Sequence, residues 1–166
     1  RNIIINKIDK GGIVVLPSNG VYTFNTNIFN TTSIEKIFLL KEKAIKSPLS
    51  VYVLDIEMAK PLLDKKLTIK EHKIINKLVE KFWPGPITIV VKTHLDNPLF
   101  TNNGVISLEC PCHESIRTII RELDKPIITT SANITNKTSC SHINHLKAYF
   151  CEIDCLTALK DKKNPK

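Results

Sequence analysis

Three short stretches of this 166-residue chain carry side chains suited to anionic oxygen. Lys41 and Lys43 follow the apolar run Ile37-Phe38-Leu39-Leu40, with Ser47-Pro48-Leu49 just beyond. Ser18 lies in the loop Pro17-Ser18-Asn19-Gly20-Val21-Tyr22. The third stretch, Thr129-Thr130-Ser131-Ala132-Asn133, runs off the end of an apolar segment. Ammonium groups offset phosphate or carboxylate charge, and hydroxyls with backbone amides at a strand end can cradle the same groups. Each stretch also has an ordinary structural reading. Lysines in a last helical turn suit the helix dipole, and Ser-Ala-Asn after a strand is a common turn. Residues two apart do not share a helix face, so positions 41 and 43 converge only where the helix is already ending. A Gly-rich phosphate loop is missing, since Gly11-Gly12 reads as a turn. No histidine is placed by the motif to activate Ser131 or a cysteine as a nucleophile.

The elements that position these residues follow from periodicity. Residues 3–10 read as a short helix ending at Gly11-Gly12. Ile13 to Leu16 reads as a buried strand stopped by Pro17, and Val21 to Phe24 as a second strand after a tight turn. Thr32 or Ser33 caps a helix to about Lys43, with Ile34, Ile37, Phe38 and Leu40 facing inward. A strand is expected over Leu49 to Leu54. Thr68-x-x-Glu71 is a capping box ahead of Ile69, Ile74, Ile75, Leu78, Val79 and Phe82 at helical spacing, and Trp83-Pro84-Gly85-Pro86 ends that helix. Strands then follow at Ile87–Lys92, Val105–Glu109 and Ile127–Thr130, with a helix at about Glu114–Leu123 and a last one from Ser141 to Phe150. Strands alternating with helices predict one α/β domain over residues 1–166.

Composition bounds the function less sharply. A net charge of +8 favours anionic partners such as nucleotides or RNA, although a chain this rich in Lys, Asn and Ile carries such charge from compositional bias alone. No apolar run approaches the roughly 18 residues of a membrane helix, and the start has no signal-peptide pattern, so a cytoplasmic protein is expected. The cysteines at 110, 112, 140, 151 and 155 are odd in number and lack CxxC, which favours reduced thiols. A zinc site among them and His113, His142 and His145 is weakly suggested, because only Cys151 and Cys155 have ligand spacing. Trp83 reads as a packing anchor.

The order of these segments resembles the YrdC/Sua5 family of threonylcarbamoyl-AMP synthases over about residues 10–145. Residues after about 150 form a C-terminal tail outside the resemblance. Gly11 to Tyr22 resembles that family's opening strand and its Pro-Thr-x-Thr-Val-Tyr-Gly loop. Ile37 to Lys43 resembles its Lys-x-Arg helix end, followed by a Pro-Leu strand. Phe82-Trp83-Pro84-Gly85-Pro86-Ile87-Thr88 is close to its Trp-Pro-Gly-Pro-Leu-Thr, and Ser131-Ala132-Asn133 matches its Ser-x-Asn. The resemblance implies a twisted mixed sheet flanked by helices, with a basic concave cleft. It implies a nucleotidyltransferase that condenses L-threonine, bicarbonate and ATP into threonylcarbamoyl-AMP and pyrophosphate for tRNA modification. Lys41 and Lys43 would be the catalytic residues, facing triphosphate and carbamate. Asn133 and Ser141 would join them on ATP, Ser18 and Ser131 would hold threonine, and Mg²⁺ would accompany the phosphates without a protein carboxylate pair that can be named. Downstream tRNA threonylcarbamoyl-transfer proteins are implied as partners.

Four positions depart from the pattern. Lys43 replaces an arginine, exchanging a bidentate fork for a point charge. Gly20 replaces a threonine and Thr23 a glycine. Glu109 stands where the family has an arginine that contacts the threonine substrate, which reverses the local field. A divergent member that binds tRNA or other RNA, double-stranded RNA included, through its basic surface is the alternative. The small aromatic content argues against base stacking.

Overall fold

The computed structural model describes residues 2–18, 20–42 and 48–139, together with Ser141, Asn144 and Leu146. The chain begins with α1 (Asn2–Asp9), then pairs β1 (Val14–Ser18) with β2 (Val21–Asn27) as a hairpin. Helix α2 (Thr31–Leu40) leads toward β3 (Ser50–Tyr52), then α3 (Ile56–Ala59) and a 3-10 turn at Lys60–Leu62. Helix α4 (Ile69–Phe82), β4 (Thr88–Lys92), β5 (Thr101–Asn102), β6 (Val105–Glu109), α5 (Glu114–Leu123) and β7 (Ile127–Ser131) complete the described elements.

The seven strands form one mixed sheet in the order β1-β2-β7-β3-β6-β4, with β5 added along β6. Among the described strands only the β3–β6 pair is parallel; the other neighbours are antiparallel. Alternation along β1 separates two buried layers. Val14 and Leu16 face α1 and α5 in a cluster with Ile8, Ile116 and Ile120. Val15 faces the other layer, where Phe24, Ile34, Ile37 and Val51 pack beneath α2. The sheet is thus covered on both faces, as the α/β pattern predicted.

Local differences from the sequence reading have physical causes. Pro17 does not stop β1; it pairs with Tyr22. Strand β1 lies at the end of the strand order, and an edge is where a strand tolerates a residue without an N–H. The cap of α2 is Asn30, whose side chain accepts from Ser33 N at 2.9 Å, instead of Thr32 or Ser33. The Ser33 hydroxyl is committed elsewhere, to Gly11 O. Gly11 is required there, because its φ is +78° and the Asn30 amide occupies the place of a Cβ. Helix α2 ends at Leu40, three residues before Lys43, with Glu42 in the left-handed region. Strand β3 is shorter than the apolar run, although Leu49 N and Val53 N carry the bonding outward to Leu99 O and Glu109 O.

The Thr68–Glu71 capping box forms as expected, but α4 buries only Ile75 fully. Ile69 and Ile74 stand exposed, so helical spacing overstated the buried stripe. Trp83 packs against the larger core cluster and donates Nε1–H to Ile87 O at 3.1 Å. The expected last helix from Ser141 to Phe150 falls largely outside the described residues.

Candidate functional site

Lys41 is the first residue past α2, and it is the one charged side chain buried among the described residues. Its ammonium reaches the turn after β7. Nζ donates to Ser131 O, to Asn133 O at 2.9 Å and to Asn133 Oδ1 at 3.0 Å, with Ser131 Oγ at 3.4 Å. An ammonium has three donors, so these oxygens can engage all of them. Backbone bonds fasten the same junction: Thr135 N donates to Lys41 O, and Ala132 N to Tyr22 O, both at 2.8 Å. Ser131 Oγ donates to Asn133 Oδ1 at 2.6 Å, and Asn133 Nδ2 bonds Lys137 O. A buried cation must keep such acceptors or leave its charge uncompensated. Lys41 therefore ties the end of α2 to the Ser-Ala-Asn turn.

Ser131 also lines a cavity of about 200 Å³ between β3, β6 and β7. Thr23, Ser50, Thr129 and Thr130 supply further hydroxyls to its wall, while Pro48 and Leu49 supply apolar surface. Tyr52 and Glu109 complete it, and they are register partners in the parallel β3–β6 pair. The Tyr52 phenol shares a hydrogen bond of 2.9 Å with Ser18 Oγ, which connects the first loop to the cavity. Burial pushes the phenol's pKa up; hydrogen bonding from Ser18 and Thr129 opposes the rise, and Glu109 adds to it. The phenol is therefore neutral at ordinary pH.

The structure thus brings together Lys41, Ser131 and Asn133, with Ser18 joined through Tyr52. It does not place Ser141, which is exposed, on the cavity wall. Lys43 lies outside the described residues. The cleft expected to be basic shows hydroxyls and one carboxylate on its described wall, with the Lys41 ammonium held behind Ser131. Lys41 Nζ points donors into the turn. Sequence reasoning missed Tyr52 and Ser50, while Thr129 lay within the third stretch. The available signal was a Ser and a Tyr within the apolar strand 49–54.

Among the described residues no group of three His, Cys, Asp or Glu side chains converges as a metal site. Cys110 is buried and Cys112 exposed. Burial raises the Cys110 thiol's pKa, while the Arg117 guanidinium opposes the rise. Cys140, Cys151 and Cys155 lie outside the described residues. No described helix is long and apolar enough to cross a membrane.

A mixed sheet covered on both faces, with a hydroxyl-lined cavity between β3, β6 and β7, defines an α/β domain with a small polar pocket. Family comparison agrees: the Sua5/YciO/YrdC model, described as telomere recombination, matches residues 6–163. The chain belongs to this family. It is 27% identical over 152 residues to a threonylcarbamoyl-AMP synthase of Pyrococcus abyssi, covering 90% of this chain and 43% of that one. It is 30% identical over 145 residues to a putative threonylcarbamoyl-AMP synthase of Methanocaldococcus jannaschii, covering 84% and 63%. The chain therefore spans less than two thirds of either relative. Among solved structures, P. abyssi Sua5 complexed with L-threonine superposes with a TM-score of 0.79 at 25% identity, over 93% of this chain and 45% of that one. Escherichia coli YciO shares the fold, with a TM-score of 0.77 at 15% identity over 95% and 77%.

Proposed function

We propose that the chain is a nucleotidyltransferase that forms threonylcarbamoyl-AMP and pyrophosphate from L-threonine, bicarbonate and ATP, supplying tRNA modification in the cytoplasm. The observation that carries this reading is the junction of Lys41, Ser131 and Asn133 at the rim of a cavity of about 200 Å³. The amino substrate occupies the cavity, and ATP lies across its mouth. A homologue of the same fold was solved with L-threonine, which supports the division.

In the reaction, a carbamate oxygen attacks the α-phosphorus and pyrophosphate leaves. Charge spreads over phosphate oxygens, so fixed donors and cations lower the barrier most. Lys41 acts here as a positioning residue that fixes the Ser131–Asn133 turn and places positive charge beneath it. Lys43, Asn133 and Ser141 contact ATP, while Ser18 and Ser131 order the amino substrate. Mg²⁺ would arrive on the ATP phosphates, because the described residues offer no cluster to hold it alone. Products pass to tRNA threonylcarbamoyl-transfer proteins. No observation favours RNA binding by this cavity, whose described wall bears a carboxylate and no cation.

The test is pyrophosphate release from ATP in the presence of bicarbonate and an amino substrate, with each omitted in turn. Release that requires all three supports the reaction. Release without bicarbonate, or none with any amine, overturns it.

A further inference from the structure

One face of the sheet carries a set of buried polar groups. Thr23 and Asn25 on β2 stand opposite Ser131 and Thr129 on β7, and residues directly opposed across an antiparallel pair share a face. Ser18, Thr23, Asn25 and Thr129 are all buried. Most of their polar atoms are satisfied from within. Asn25 Nδ2 donates to Thr23 O and Thr23 Oγ1, both at 2.9 Å, and Thr23 Oγ1 donates to Leu16 O at 3.2 Å. Ser18 Oγ shares its hydrogen bond with Tyr52. The exceptions are Asn25 Oδ1 and, opposite it, Thr129 Oγ1. Of the two residues, Thr129 lines the cavity. It is 3% exposed, and its hydroxyl makes no hydrogen bond of good geometry, although it lies near enough to Tyr52 to weigh on the phenol's ionisation.

A buried hydroxyl left in this way is costly unless a ligand or water meets it. The chemistry around Thr129 favours a neutral group. Its neighbour Tyr52 is an un-ionised phenol, whereas the charges stand elsewhere: Glu109 at the end of β6, and the Lys41 ammonium behind Ser131. A ligand hydroxyl both donates and accepts, so it can bond Thr129 and the phenol together. A methyl group in its place would leave the Thr129 hydroxyl buried and unpaired. Ser131 lies two residues along the same strand face, about 7 Å away. A carboxylate is favoured there by the ammonium behind it and disfavoured beside Glu109. A β-hydroxy amino acid meets both positions and leaves its amine uncommitted, as conversion to a carbamate requires.

We propose that the Thr129 hydroxyl, with the Tyr52 phenol beside it, reads the β-hydroxyl of the amino substrate and sets the site's choice of a hydroxy amino acid over its methyl isostere. The inference rests on the proposed function for the use of the cavity, and it assigns the residue that selects the amino substrate. L-threonine is the preferred ligand and L-valine the rejected one. A site built to bond a substrate hydroxyl rejects the analogue without it, because its own buried groups are then left unpaired.

Calorimetry on the full chain at pH 7, titrated separately with L-threonine and L-valine, tests it. L-threonine is expected to bind at least about thirtyfold more tightly. Thr129→Val keeps the shape and removes the hydroxyl, and should bring the ratio within about threefold, whereas Thr129→Ser should keep it above about tenfold. A purely structural role would weaken both ligands alike and leave the ratio in place. Circular dichroism establishes that each variant is folded; if Thr129→Val is not, Thr129→Ala decides by the same ratio. Equal binding of L-valine by the wild type means that water alone meets the hydroxyl, and overturns the proposal. So does a ratio unmoved in Thr129→Val or lost in Thr129→Ser, or binding of neither amino acid. The expected ratios without pyrophosphate release from any amine leave the assignment standing and sink the proposed reaction; bicarbonate-dependent release supported equally by L-valine does the reverse.

Discussion

Lys41 and Lys92 each hold an ammonium against protein oxygens, yet the two regions work differently. Lys41 is 3% exposed and reaches a turn some ninety positions away in the chain. The Lys92 side chain, at the end of β4, is 62% exposed and pairs with Glu71 at 2.8 Å. Glu71 in turn closes the capping box with Thr68 N and the Thr68 hydroxyl, both at 2.7 Å. Water solvates the Lys92 pair whether or not the bond forms, so little depends on it. Lys41 is buried, and the acceptors it meets in the turn after β7 are dipoles that hold a loop in shape. Hydrogen bonds alone do not separate a site from a surface decoration; burial and convergence do.

The strongest way to break this contrast is Lys41→Ala. It leaves Ser131 O, Asn133 O and Asn133 Oδ1 without their ammonium, and should destabilise the fold by about 3 kcal/mol in urea denaturation. Pyrophosphate release should fall at least about a hundredfold. Asn133→Ala keeps the ammonium but removes one acceptor and a bond to Lys137 O, costing about 2 kcal/mol by the same measurement. Ser18→Ala removes the bond to Tyr52 and should cost about 1 kcal/mol.

The smallest effect belongs to the exposed pair, and pH reveals it. Lys92 and the Thr68 cap hold the Glu71 carboxyl at about 2, below its ordinary 4.5. A lowered folded pKa means the contribution is present above about 4.5 and disappears as pH falls toward about 2. Urea midpoints of the wild type and Glu71→Gln should differ slightly at pH 7 and converge across that window. Lys92→Ala should move the midpoint at pH 7 far less than Lys41→Ala does.

Much of the architecture was legible because strong local signals agreed with the tertiary result. The capping box at Thr68, the stop at Trp83-Pro84-Gly85-Pro86 and helix α5 all read directly. Helix α2 misled by one cap and three residues at its end. Asn30 outcompeted Thr32 and Ser33 once Gly11 brought a distant carbonyl to Ser33, a contact no local pattern contains. Of the site, Lys41, Ser131 and Asn133 were visible as polar groups beside apolar elements. Tyr52 was hidden, because its importance comes from strand order: β3 lies between β7 and β6. Glu109 was visible only as a misfit to the pattern, and its place beside Tyr52 turns that misfit into a determinant of charge.

The most direct measurement compares wild type with Lys41→Ala in the same bicarbonate-dependent pyrophosphate assay, both verified as folded. A folded Lys41→Ala protein that has lost turnover is the predicted result. Unchanged turnover would contradict the claim that this buried ammonium and the Ser-Ala-Asn turn build the working site.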